Sequence, residues 1–117
     1  MFISHVSKIK GIVPAGDDLK GVVKKILIGP REGWEGHVMR LFILDPGGYT
    51  PRHTHPWEHV NIILKGRGKL FVDGNEYPLE EGTIAVVPEN SLHQYMAYEE
   101  GPLHLICIVP TYGDSDY

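Results

Sequence analysis

Residues 51–66 read PRHTHPWEHVNIILKG, with His53, His55 and His59 inside seven positions at the head of a Val, Ile and Leu run. In an extended chain the side chains at i and i+2 share a face, so His53 and His55 point together while Thr54 turns away. Pro56 and Trp57 break the run, after which His59 opens the next strand and can close on the same space. A fourth histidine, His93, begins a later segment after PENSL. Imidazole is the commonest protein ligand for transition metals, and paired ligands on a stiff strand lose little entropy on binding. A lone histidine is ordinarily structural, and so is most H-x-H; three histidines at this spacing with a fourth downstream mark a candidate metal site.

Outward from this stretch, the chain divides into short apolar runs separated by Gly, Pro and Asp. Strands are expected over 22–28, 37–44, 49–55, 60–66, 68–73, 75–80, 83–88, 93–98 and 103–110, from their β-branched and aromatic content and regular spacing. Residues 14–20 allow one helical turn, and GDSDY at 113–117 reads as frayed. Asp73-Gly74 is a tight-hairpin signal, because a type I′ turn requires positive φ. Many antiparallel strands on short links predict an all-β, jelly-roll-type antiparallel barrel. One domain is expected over 1–117, with its barrel core at about 36–110 and an N-terminal arm at about 1–21.

The totals agree with a single globular core: 42% of residues are hydrophobic and 22% charged, and 14 Gly with 9 Pro favour turns over long helices. Net charge is −4 and the basic residues are dispersed, which argues against nucleic acid as a partner. No run approaches the roughly 20 apolar residues of a membrane span, and no membrane association is expected. The single cysteine, Cys107, excludes an internal disulfide and fits a reducing compartment, so a cytoplasmic location is expected.

Residues 47–66, GGYTPRHTHPWEHVNIILKG, resemble the first motif of the cupin superfamily, G-x5-H-x-H-x3–4-E-x6-G, from Gly47 through His53 and His55 to Gly66. Residues 82–93, GTIAVVPENSLH, resemble the second, with Gly82, Pro88 and His93 in register. Asn90 stands where the motif has a glycine, and Ala97 where it has an asparagine. The usual glutamate ligand falls on His59. Glu58 competes for that role, but it is one residue short of the motif spacing and adjacent strand residues face opposite ways. The resemblance therefore implies a double-stranded β-helix barrel holding a divalent metal on His53, His55, His59 and His93. It is similar to small four-histidine manganese cupins of bacteria and archaea, with Fe, Zn, Ni and Cu as the other metals such ligands take.

Four neutral ligands leave the ion its full charge and leave open coordination positions, so a small anionic or oxygenated ligand is expected. The leading expectation is a metal-dependent enzyme of oxygenase (dioxygenase) type. The alternatives are a metal-dependent isomerase or lyase and a non-catalytic module that binds a sugar-like molecule. Arg40, Cys107 and Trp57 are the candidate catalytic or pocket residues. Arg40 interrupts an apolar strand and either balances a bound anion or snorkels to the surface; Cys107 is a pocket thiol or a small core residue; Trp57 is a lid or rim packing. A homodimer is expected because both faces of HVMRLFIL are apolar.

Overall fold

The computed structural model describes residues 1–117. Eight strands carry the chain: β1 (Lys20–Ile28), β2 (His37–Tyr49), β3 (His59–Gly66), β4 (Gly68–Val72), β5 (Asn75–Leu79), β6 (Ile84–Val87), β7 (His93–Ala97) and β8 (Leu103–Pro110). They form one antiparallel sheet in the order β5-β4-β7-β2-β8-β3-β6, with β1 on β2. Three 3-10 turns, Val6–Lys8, Pro30–Glu32 and Thr111–Gly113, complete the elements. No helix is long and apolar enough to cross a membrane.

Strand β2 curls the sheet. Its first half pairs with β1 on one side and with β8 on the other, while its last residue, Tyr49, reaches Met96 of β7. The two walls of the barrel are thus joined through one strand. Alternation then sorts side chains: Val38 and Leu44 of β2 and Leu103, Leu105 and Val109 of β8 fill the interior. The core cluster takes in Ile63, Leu70, Leu79, Val87 and Tyr95 from the other strands.

The hairpin expected at Asp73-Gly74 is present, with φ of 47° and 89°, and it pairs Val72 with Asn75. Asn90 adopts the left-handed conformation at φ 63° that its place in the second motif requires.

Three expectations are corrected. Residues 49–55 are not a strand: β2 ends at Tyr49, and only His53 beyond it pairs, with His93. Pro51 and Pro56 have no N–H to donate, so the segment cannot sustain a ladder. Residues 14–20 make no helical turn; the chain there runs extended or bent into β1. The C-terminal GDSDY is not frayed, because Asp114 is buried by ion pairs and Tyr117 packs beside the core.

Candidate metal centre

Each histidine is aimed by a different piece of backbone. His53 exchanges two hydrogen bonds with His93, N to O at 3.2 Å and 3.0 Å, which ties the loop after β2 to the start of β7. His55 follows in that loop, its carbonyl accepting from the Asn90 N–H at 2.8 Å. His59 and His93 are the first residues of β3 and β7, and both are buried. One ring nitrogen from each of His53, His55 and His93 falls within 4.8 Å of the others. His59 stands beside this trio, its ring centroid 4.7 Å from that of His93 and 5.2 Å from that of His55. Glu58 is exposed and does not line the cavity, while His53 leaves the open side of the cluster toward solvent.

Hydrogen bonds assign the protons. Nδ1 of His55 lies 2.9 Å from the Trp57 carbonyl and Nδ1 of His93 lies 2.9 Å from the Ser91 carbonyl. A carbonyl only accepts, so both Nδ1 atoms carry the hydrogen and both Nε2 atoms keep a lone pair. For His59 the same task falls to Asn61, whose Nδ2 donates to the Ile106 carbonyl and whose Oδ1 faces His59 Nδ1 at 3.3 Å. The Tyr95 hydroxyl donates to that same Oδ1. Two lone pairs, on Nε2 of His59 and of His93, then face each other across 3.2 Å. This spacing is repulsive without a cation, and it matches the ~3.0–3.4 Å between neighbouring nitrogens on an ion with N–metal bonds near 2.1 Å. The donor set therefore fits a divalent metal.

Electrostatics agree. Burial lowers the pKa of His53, His55 and His93, and burial followed by the neighbouring His93 and His55 charges brings His59 down to about 3. All four imidazoles are neutral at pH 7, the form that binds metal. Burial also pushes the Tyr95 phenol well up, so it stays a donor.

The histidines open into a cavity of about 250 Å³ walled by Leu19, Val22, Phe42, Trp57 and Tyr95 together with Lys24, Arg40 and Cys107. Arg40 faces inward, but its charge is already engaged. Nη1 is 3.2 Å from Asp114 Oδ2, and Nη2 donates to Cys107 Sγ at 2.9 Å. Cys107 lies within the core cluster and also lines the cavity; burial raises its pKa despite Arg40, so it is a thiol. Trp57 stacks on His55 with centroids 4.5 Å apart and planes 6° apart, meets Tyr112 edge-on at 5.8 Å and packs against the core. It joins the histidine cluster to the C-terminal segment.

Four residues of the site were not among those singled out from the sequence. Asn61 and Tyr95 lie two positions after His59 and His93, so the strand period that turns the histidines inward also turns them inward. Lys24 interrupts an apolar face between Val22 and Ile26, a signal of the same kind. Asp114 carries none, since its partners are 74 and 90 residues away.

Residues 40–109 match the sequence model of the Cupin domain family. An uncharacterised protein of Aquifex aeolicus is 33% identical over 116 residues, covering 99% of this chain and 95% of its own. The polyketide synthase CurC of Streptomyces cyaneus is 28% identical over 95 residues, covering 78% of this chain; the chain spans 59% of that protein's length. Among solved structures, the polyketide cyclase RemF from Streptomyces resistomycificus superimposes with a TM-score of 0.87 at 23% identity, over 94% of this chain and 79% of its own, a likeness of fold. Barrel topology, both histidine motifs and a match across most of the strands lead to one conclusion: this chain belongs to the cupin family.

Proposed function

We propose that this cupin is a divalent-metal enzyme of oxygenase type, holding its ion on His53, His55, His59 and His93 and acting on a small oxygen-bearing molecule. One observation carries the reading: the Nε2 lone pairs of His59 and His93 face each other at 3.2 Å, with both rings fixed from behind. An arrangement that only packed the barrel would have no reason to hold two acceptors in opposition. Manganese is the metal that the family resemblance favours. When bound, the ion supplies Lewis acidity and activation of oxygen at its open positions.

The chain's own residues do the rest. The exposed side at His53 admits the ligand. Leu19, Val22 and Phe42 exclude water and favour an apolar portion of the molecule, while the Trp57 ring holds His55 in plane. Tyr95 and Asn61 keep the His59 hydrogen on Nδ1. Cys107 remains protonated beside Arg40, whose Nη2 donates to its sulfur.

We also propose that the working form is a homodimer. The surface for it is not the β2 strip: Leu41 is buried within the chain, and Met39 lines a small cavity with Phe2, Ile3 and Val6 of the N-terminal arm. A contiguous exposed apolar strip is instead formed by Val60, Ile62 and Leu64 of β3 with Ile84 and Val86 of β6. They lie in register across two strands, Val60 opposite Val86 and Ile62 opposite Ile84, at the end of the sheet. A second copy presenting the same strip covers it.

The functional test combines metal analysis with turnover. Protein loaded with manganese or iron is screened against oxygen-bearing metabolites while dissolved oxygen and products are followed. Oxygen-dependent product that disappears on chelation and returns with metal is expected. Saturable ligand binding that metal removal does not change, with no turnover, would instead make the barrel a binding module.

A further inference from the structure

We propose that Lys24 and Arg40 form a carboxylate-binding subsite in the cavity wall, which Asp114 of the chain's own C-terminal segment fills until a ligand carboxylate displaces it. The proposal deepens the functional reading, and it rests on the cavity being the ligand site.

Lys24 of β1 and Arg40 of β2 are 8% and 9% exposed, and both line the cavity that the histidines open into. Two cations in an apolar wall require anions. The barrel strands provide none: the cavity residues around them are Val22, Phe42 and the Cys107 thiol. The counter-charge comes from outside the barrel. Asp114 Oδ1 lies 3.1 Å from Lys24 Nζ and Oδ2 lies 3.2 Å from Arg40 Nη1, with the Asp114 side chain wholly buried; Asp116 also reaches Lys24. A carboxylate therefore bridges the two cations that line the cavity, with both oxygens within reach of Lys24 Nζ, at 3.1 and 3.3 Å, and Oδ2 shared with Arg40.

The segment that brings it is held more by side chains than by backbone. The Thr111 N–H donates to the Gly36 carbonyl at 3.1 Å, which anchors its start at the end of β8. Beyond that its internal backbone bonds, Asp114 to Thr111 and Tyr117 to Asp114, are both 3.4 Å. Its other contacts are made by side chains: Tyr112 and Gly113 lie against Trp57, Asp114 Oδ1 accepts from the Asp116 N–H, and Tyr117 packs against the core, lies under the Arg31 guanidinium at 4.1 Å and donates to Glu32 Oε1. An apolar side chain would tether the segment at least as well in a pocket walled by Val22 and Phe42, since buried ion pairs are weak stabilisers. A charged tether differs in being exchangeable, because any carboxylate offers the same two partners the same bonds. A ligand could then place its carboxylate on Lys24 and Arg40 while an oxygen at its other end meets the histidines.

The test uses the full chain without metal, so that it stands apart from the metal site. Benzoate is titrated by calorimetry into the parent, Asp114→Asn, and Asp114→Asn with Arg40→Met; benzamide is the uncharged control. The single variant should bind benzoate at least about 10-fold more tightly than the parent, benzamide affinity should not change, and Arg40→Met should remove the gain. Equal benzoate affinity in parent and Asp114→Asn, or an equal gain for benzamide, overturns the subsite. Should Asp114→Asn fail to fold, hydrogen exchange of the parent decides. Saturating benzoate should speed exchange at residues 112–117 and leave β8 unchanged, whereas identical rates with and without benzoate overturn the proposal. Loss of metal binding in a separate assay would sink the metal reading and leave this result standing.

Discussion

Asn61 decides which nitrogen of His59 faces the cavity. Its amide is itself oriented by the Ile106 carbonyl, so the chain of bonds runs from strand backbone to Asn61 to His59 to the Nε2 lone pair. Asn61→Ala should cut metal affinity by about 10–100-fold, the usual effect of losing a group that orients a ligand, with the barrel still folded. Asn61→Asp keeps an acceptor at the same place and should keep most of the affinity. Titration with a competing chelator measures both, and equal affinity in parent and Asn61→Ala would show that the ring is fixed by something else. The sequence carried the histidines and their facing through the two-residue strand period. It did not show that Arg40 is neutralised, because the partner that does so is remote in the chain.

At the scale of elements, close backbone approach and long-range charge govern what local pattern cannot. Gly66 ends β3 with φ 86°, and a Cβ there would sit 1.8 Å from the Pro102 carbonyl oxygen. Gly66→Ala should therefore cost more than about 2 kcal/mol in urea unfolding. The strands expected at 37–44, 60–66, 68–73 and 103–110 were legible because alternation and β-branched content agree there. Residues 50–58 were not, since two prolines remove ladder donors while leaving the histidine alternation intact. Nor was the C-terminal segment, whose Gly-Asp-Ser-Asp run reads as solvent-exposed until Lys24 and Arg40 bury Asp114. For Asp114, burial works against the carboxylate, but the Asp116 N–H and the Lys24 and Arg40 charges outweigh it and lower the pKa below 3.8. A carboxyl whose folded pKa is depressed stabilises the protein above its unfolded pKa and loses that effect as pH falls through the folded value. Asp114→Asn should thus be less stable than the parent by on the order of 3 kcal/mol near pH 7. The gap should close as pH drops below about 4; a gap independent of pH would mean the carboxylate is not the source.

For the whole molecule, the exposed β3 and β6 strip and the histidine centre make separate demands. Sedimentation at micromolar concentration should give the mass of two chains, and Ile84→Lys with Val86→Lys should give one chain without unfolding it. A parent that sediments as a single chain would remove the dimer. The histidine centre is reached most directly by X-ray absorption on protein loaded with one equivalent of manganese. The expected spectrum has about four imidazole nitrogens around the ion, filled out by light oxygen donors, with no sulfur and one imidazole fewer in His59→Ala. A shell of oxygen alone, or an unchanged imidazole number in His59→Ala, would contradict the four-histidine centre.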